Sequence, residues 1–266
     1  MCVGELPFPL WVCPFGGISK EVIMSDQISV NDNLVLLVGK SASGKSRSLK
    51  NLKNPEGVLY LNCESGKKLP FKSGFLERTI ARWDVLPKAF QWAETQPNIH
   101  TIVVDSLTYY MDMVESQLVL TSSNTQAAWG QFAQQFKHLM QVLVATSTKN
   151  VIFLAHTKDE VNDDMVRETC VPVKGALKNQ GIESYFSLVI ACKKVKLTDL
   201  EEYQNGLLHI NEREEMLGYK HVFQTQVTKN TINERLRGPE DLFDIKETFI
   251  DNDMQLVLDR LHEYYA

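Results

Sequence analysis

The chain has 266 residues, 44% hydrophobic and 23% charged, with 28 Lys and Arg against 33 Asp and Glu for a formal net charge of −5. That length suits one large α/β domain, or a domain with an appended piece, and the apolar content is ample for a core. The acidic balance excludes a globally basic nucleic-acid binder, so any such contact must come from a local patch, and no apolar run reaches transmembrane length.

The first 23 residues read unlike the rest. Leu6–Phe15 is apolar but interrupted by Pro7, Pro9 and Pro14, and Glu5 stands where a secretory leader carries positive charge. Met24-Ser25-Asp26 offers a natural start, so residues 1–23 are an extension: either a misassigned start or a docking arm for oligomers.

Short apolar runs then recur at 34–38, 58–62, 101–105, 151–155 and 186–192, separated by helix-compatible stretches. Continuous apolar strands alternating with helices predict an α/β fold with a mostly parallel central sheet covered on both faces. The longest predicted helix is 126–147, where Phe132, Phe136, Leu139, Met140, Val142 and Leu143 make an apolar stripe of period 3.6. Residues 197–216 carry six acids against Arg213 and read as a solvated insertion. A β-type run at Val222–Val227 follows, then a terminal helix over about 253–264. The expected organisation is an extension (1–23), a core (24–240) with the acidic insertion, and a C-terminal helical segment (241–266). Cys2, Cys13, Cys63, Cys170 and Cys192 are odd in number and scattered, as expected for reduced thiols in a cytoplasm.

The strongest motif follows the first apolar run. Gly39, Lys40, Ser41, Ala42, Ser43, Gly44, Lys45 and Ser46 fill every fixed position of G-x-x-x-x-G-K-S, in a strand–loop–helix context. Glycines let the backbone curl so that successive N–H groups point at phosphate oxygens, and a helix start adds its positive end. Lys45 is expected at the β- and γ-phosphates, Ser46 on Mg²⁺, and Arg47 beside the bound nucleotide. The expected cofactors are ATP and Mg²⁺.

Two carboxylates end neighbouring runs. Asp105 closes Thr101–Asp105 in the manner of a Walker B acid holding Mg²⁺. Glu64 closes the run Val58–Asn62 two residues on, where a carboxylate either faces solvent or lies by the γ-phosphate and activates water. Cys63 reads as a buried filler, with no base nearby in sequence.

Leu61-Asn62-Cys63-Glu64, Ile102-Val103-Val104-Asp105-Ser106, Val151–His156 and Gly175-Ala176-Leu177-Lys178, in that order, resemble the RecA-family ATPase core over roughly 33–235. The nearest group is that of small phage-encoded RecA-like ATPases of single-strand annealing and recombination. The resemblance implies a RecA-like P-loop fold with Glu64 as catalytic carboxylate and Asp105 as metal ligand. His156 falls where the family has a γ-phosphate-sensing Gln; His keeps a donor and makes the sensor pH dependent, the alternative being a structural histidine. Residues 157–174 would be the second DNA loop and 113–126 the first, with Lys158, Arg167, Lys174 and Lys178 as the nucleic-acid contacts. Tyr109, Tyr110 and Trp129 read first as core or interface residues, with stacking on bases as the alternative, and Lys67, Lys68 and Lys72 cluster after Glu64. Where the family supplies two lysines flanking an Asn to a neighbour's site, Thr228-Lys229-Asn230-Thr231 keeps one, so Lys229 acts alone, Arg235 or Arg237 compensates, or Lys229 is a surface lysine.

The resemblance further implies a homo-oligomer, ring or filament, that hydrolyses ATP at subunit interfaces. It would bind single-stranded DNA, with a single-strand-binding protein as a further partner, in the cytoplasm of a bacterial host if the gene is a phage's. A ring-shaped helicase motor and a nucleotide-gated scaffold with little hydrolysis stay open. A small-molecule kinase is disfavoured because no Arg-rich lid is apparent.

Overall fold

The computed structural model describes residues 31–161, 165–178 and 181–266; the extension at 1–23, with Cys2 and Cys13, lies outside them. In chain order the strands and α-helices are β1 (Leu34–Gly39), β2 (Val58–Asn62), β3 (Leu76–Thr79), α1 (Val85–Glu94), β4 (Thr101–Asp105), α2 (Leu107–Val114), α3 (Thr125–His138), β5 (Asn150–His156), β6 (Lys158–Val161), β7 (Arg167–Cys170), β8 (Leu188–Lys196), α4 (Glu212–Leu217), β9 (Tyr219–Gln224), β10 (Phe249–Asp251) and α5 (Met254–Tyr265).

Eight strands form one sheet in the order β10-β9-β8-β1-β5-β4-β2-β3. The pairings from β3 through β8 are parallel, and β9 and β10 add antiparallel to that edge. This is the α/β, mostly parallel architecture expected from the apolar runs. In β1 all six residues are buried. Alternation sends Leu36 and Val38 to one face, with α1, α2 and α3, and Val35 and Leu37 to the other, with Val257, Leu258 and Leu261 of α5. A strand buried on both faces has no polar side, so it reads as a run rather than an alternation.

Five features differ from expectation. The segment after the phosphate loop, expected as a helix, is a six-residue 3₁₀ turn, Ser46–Asn51. The Ser48 hydroxyl donates to Lys45 O at 2.6 Å, and left-handed Asn54 before Pro55 ends any helical path. The helix expected at 126–147 is α3 plus a π-helical turn, Leu139–Val144. Residues 113–126, expected as a DNA loop, are largely helical: the end of α2 runs into a π-helical turn, Glu115–Val119, and α3 begins at Thr125. The acidic insertion is anchored rather than merely solvated, because Leu200 and Leu208 are buried against Val222 and Phe249 in a satellite core. The C-terminal segment holds β10 as well as the expected helix. Among the described residues no helix is long and apolar enough to cross a membrane.

Candidate nucleotide site

Parallel register brings the carboxyl ends of four strands together. Gly39 on β1 lies opposite His156 on β5, and Asn62 on β2 lies opposite Asp105 on β4, with β5 between β1 and β4. The side chains that the sequence spreads over more than a hundred residues therefore meet at one sheet edge, where α/β proteins bind ligands. A cavity of about 290 Å³ there is lined by Gly44, Lys45, Ser46, Glu64, Asp105 and His156 among others.

The loop backbone is tightly specified. A Cβ on Gly39 would fall 2.5 Å from the Cys192 carbonyl oxygen, and Gly44 has φ +104°, so neither position takes a side chain freely. From outside the loop, Asn252 Nδ2 donates to Gly44 O at 3.2 Å, the Cys192 thiol to Ser43 O at 3.0 Å, and His221 Nδ1 lies 2.6 Å from Ser43 O. Burial pushes the Cys192 thiol up to about 12 and the Cys63 thiol likewise to about 12, so both stay protonated fillers.

Lys45 is buried, and its ammonium donates to Gly39 O at 2.8 Å and Lys40 O at 3.0 Å. Desolvation lowers its pKa. The Ser46 hydroxyl and the Tyr60 hydroxyl both donate to Asp105 Oδ2, each at 2.7 Å. Burial raises the Asp105 pKa despite those two donors. His156 bridges the remaining pair: Nδ1 lies 3.4 Å from Lys45 Nζ and Nε2 lies 3.2 Å from Glu64 Oε1. With the Nε2–H tautomer, the ring accepts from Lys45 and donates to Glu64. That hydrogen bond, with the Lys67 ammonium 2.9 Å from Oε2, holds Glu64 down at about 2 although desolvation acts in the opposite direction.

The donor set fits a magnesium nucleotide. No group of three or more His, Cys, Asp or Glu among the described residues forms an all-protein metal cage. A hydroxyl and one carboxylate 2.7 Å apart are what a cation that keeps waters and phosphate oxygens requires. Ser43 Oγ, in the loop itself, is buried with no hydrogen-bond partner among the described residues, as a group awaiting a ligand contact would be. A second cavity of about 590 Å³ adjoins the first, with Arg47 and His221 lining both.

A family model described as an AAA domain matches residues 31–232, well over half of the chain. The chain belongs to the AAA domain family. It is a P-loop ATPase with the α/β fold of that class. No curated protein matches it. In this AAA domain the phosphate loop, Asp105, Glu64 and His156 line one cavity.

The remaining expected residues lie elsewhere. Lys229 is exposed on the turn Thr228–Thr231, away from the residues lining its own chain's cleft. Within 157–174, β6 and β7 pair antiparallel, Lys158 opposite Cys170 and Val161 opposite Arg167, and residues 162–164 lie outside the described residues. Three of its expected DNA contacts are in ion pairs: Lys158 with Glu160, Arg167 with Asp159, and Lys174 with Glu115. Lys178 is exposed. Tyr110 is core rather than a stacking surface: it is buried and donates to Trp83 O at 3.2 Å. Trp129 packs edge-on against Phe132 and over Gly175, and Tyr109 sets its edge against the His156 ring.

Asn62, Tyr60, Asn252 and His221 had not been singled out. Asn62 and Tyr60 sit within a strand whose apolar neighbours mask them. His221 and Asn252 reach the loop from 178 and 208 residues away, and no spacing rule signals that.

Proposed function

We propose that this AAA-domain ATPase is an ATP-dependent single-stranded DNA-binding protein of RecA type, working as a homo-oligomer in strand annealing or recombination. The observation that carries the reading is the origin of the carboxylate. Glu64 follows β2 rather than standing on the Walker B strand, and reaches the same cleft as Asp105 and His156. That is the placement the RecA resemblance requires.

ATP supplies the phosphoryl group, and Mg²⁺ offsets its charge when both are bound. Lys45 would hold the β- and γ-phosphate oxygens, leaving the loop carbonyls it now contacts. Ser46 and Asp105 would hold the metal. Glu64 would orient a water and take its proton, and His156 would tie Glu64 to Lys45 so that the acid follows the phosphate-binding lysine. β6 starts two residues after His156, and Lys40 of the phosphate loop reaches it through a 3.0 Å ion pair with Asp159. A nucleotide-dependent movement of the loop would thus be felt by the segment assigned to DNA. Lys229 would act across the subunit interface, and the protein would work in a cytoplasm alongside single-strand-binding protein.

Measuring ATP turnover with and without single-stranded DNA, with electron microscopy of the same sample, tests this. Stimulated turnover together with rings or filaments supports it; monomers indifferent to DNA overturn it. The ion-paired hairpin cations favour one second reading, a nucleotide-gated scaffold, for which DNA binding without stimulated turnover is the signature.

A further inference from the structure

We propose that Lys67 is a contact for the terminal phosphate supplied in cis, a built counterpart to Lys45 on the opposite wall of the cleft. The inference rests on the reading of this cleft as a triphosphate site. The chain leaves β2 at Asn62 and reverses at once: Ser65 has φ 54° and Gly66 φ 78°, and Lys67 N donates to Glu64 O at 3.1 Å. Two successive left-handed residues turn the chain so that residue 67 comes back over residue 64. The turn is fastened from beneath. Asn62, itself 5% exposed, accepts from Glu64 N at 2.9 Å and donates to Lys67 O at 2.7 Å with the same amide. A buried side chain holding both ends of a four-residue turn fixes where the Lys67 stem begins.

The ammonium then lies 2.9 Å from Glu64 Oε2 at the mouth of the phosphate cavity, with its side chain 70% exposed. An exposed ion pair of this kind is weak, and the four-carbon stem is flexible, so exchange of partners costs little. The terminal phosphate group of a bound triphosphate would carry more charge than the Glu64 carboxylate and would enter the same cavity. When Lys67 moves to it, Glu64 Oε2 loses a donor and is left to accept a proton from water. One lysine thereby couples recognition of the terminal phosphate to release of the base. Lys229 lies outside the residues lining this cavity in its own chain, which leaves Lys67 as a cation the chain itself brings to Glu64.

The test compares binding of a non-hydrolysable ATP analogue and of ADP, by displacement of a fluorescent nucleotide, in the wild type, Lys67→Ala and Lys67→Arg. Lys67→Ala should weaken the triphosphate analogue by about tenfold, the scale of one charge-assisted contact, while ADP changes less than about twofold. Lys67→Arg should restore most of the difference. An unchanged ratio of triphosphate to diphosphate affinity in Lys67→Ala, with turnover reduced, makes Lys67 only a support for Glu64 and overturns the proposal. A wild type that binds neither nucleotide overturns the reading of the cleft and this inference with it.

Discussion

His156 Nε2 lies 3.2 Å from Glu64 Oε1, so the residue at the γ-phosphate-sensing position is hydrogen-bonded to the carboxylate expected to activate water. His156→Gln offers an amide N–H to Glu64 and an amide oxygen to Lys45, keeping both contacts, and should retain turnover within a few-fold. His156→Ala keeps neither and should lose about tenfold or more, the scale of one hydrogen bond to a charged group. Equal kcat for the two variants would show that the bridge is incidental.

Glu64→Gln keeps the size of the side chain and removes the base. Its kcat should fall by about 10²- to 10⁴-fold with nucleotide affinity nearly intact. Steady-state turnover alongside equilibrium binding separates these, and wild-type turnover in the variant would remove Glu64 from the mechanism.

The depressed Glu64 pKa has a consequence for stability. Its folded value is about 2 against an ordinary 4.5. The folded state therefore binds this proton more weakly than the unfolded chain. The Glu64 contribution should be complete above about pH 4.5 and fade as pH falls towards 2. Denaturation curves of wild type and Glu64→Gln should converge across that window; a constant difference through it would contradict the assignment.

Asp105 has the opposite sign. Burial raises its pKa, so the folded state holds this proton more tightly than the unfolded chain, and stability is lost as pH rises past the ordinary carboxylate range. Asp105→Asn removes that charge while leaving an oxygen for Tyr60 and Ser46. In chelator-treated protein its Tm should rise by about 2–4 °C, the shift that ~1 kcal/mol gives a domain of this size. Stabilisation by magnesium and ATP should be lost in the same variant. Calorimetry with and without the ligand checks both; a lower Tm without ligand would mean that the Asp105 charge is not a burden on the fold.

The expected DNA contacts are not equivalent. Lys158 and Lys174 are held by Glu160 and Glu115, whereas Lys178 is exposed at the end of the Gly175–Leu177 turn. Lys178→Ala should reduce affinity for a single-stranded oligonucleotide and flatten its salt dependence more than Lys158→Ala does. Titrations at two salt concentrations compare them, and identical effects would argue against a selective role for Lys178.

The central strands were legible because β1, β2, β4, β5 and the first half of β8 are buried on both faces, which leaves an apolar run with no competing pattern. β3 was not. Its Leu-Glu-Arg-Thr sits at an open sheet edge, where exposure permits polar residues and removes the signal. β6 and β7 were hidden in the same way, by the ion pairs that occupy them. At the site, Glu64, Asp105 and His156 could be found because each ends an apolar run. The turn that returns Lys67 to Glu64 could not, because it depends on left-handed backbone at Ser65 and on the buried Asn62 amide.

Asn252 holds Gly44 O from a position 20 residues past the end of the family match at residue 232, and the α5 helix that begins at Met254 is packed into the same core. The unit that shapes the phosphate loop is therefore longer than the recognisable domain. A chain cut at residue 240 would retain every residue of its phosphate-binding motif and lose the brace that shapes it.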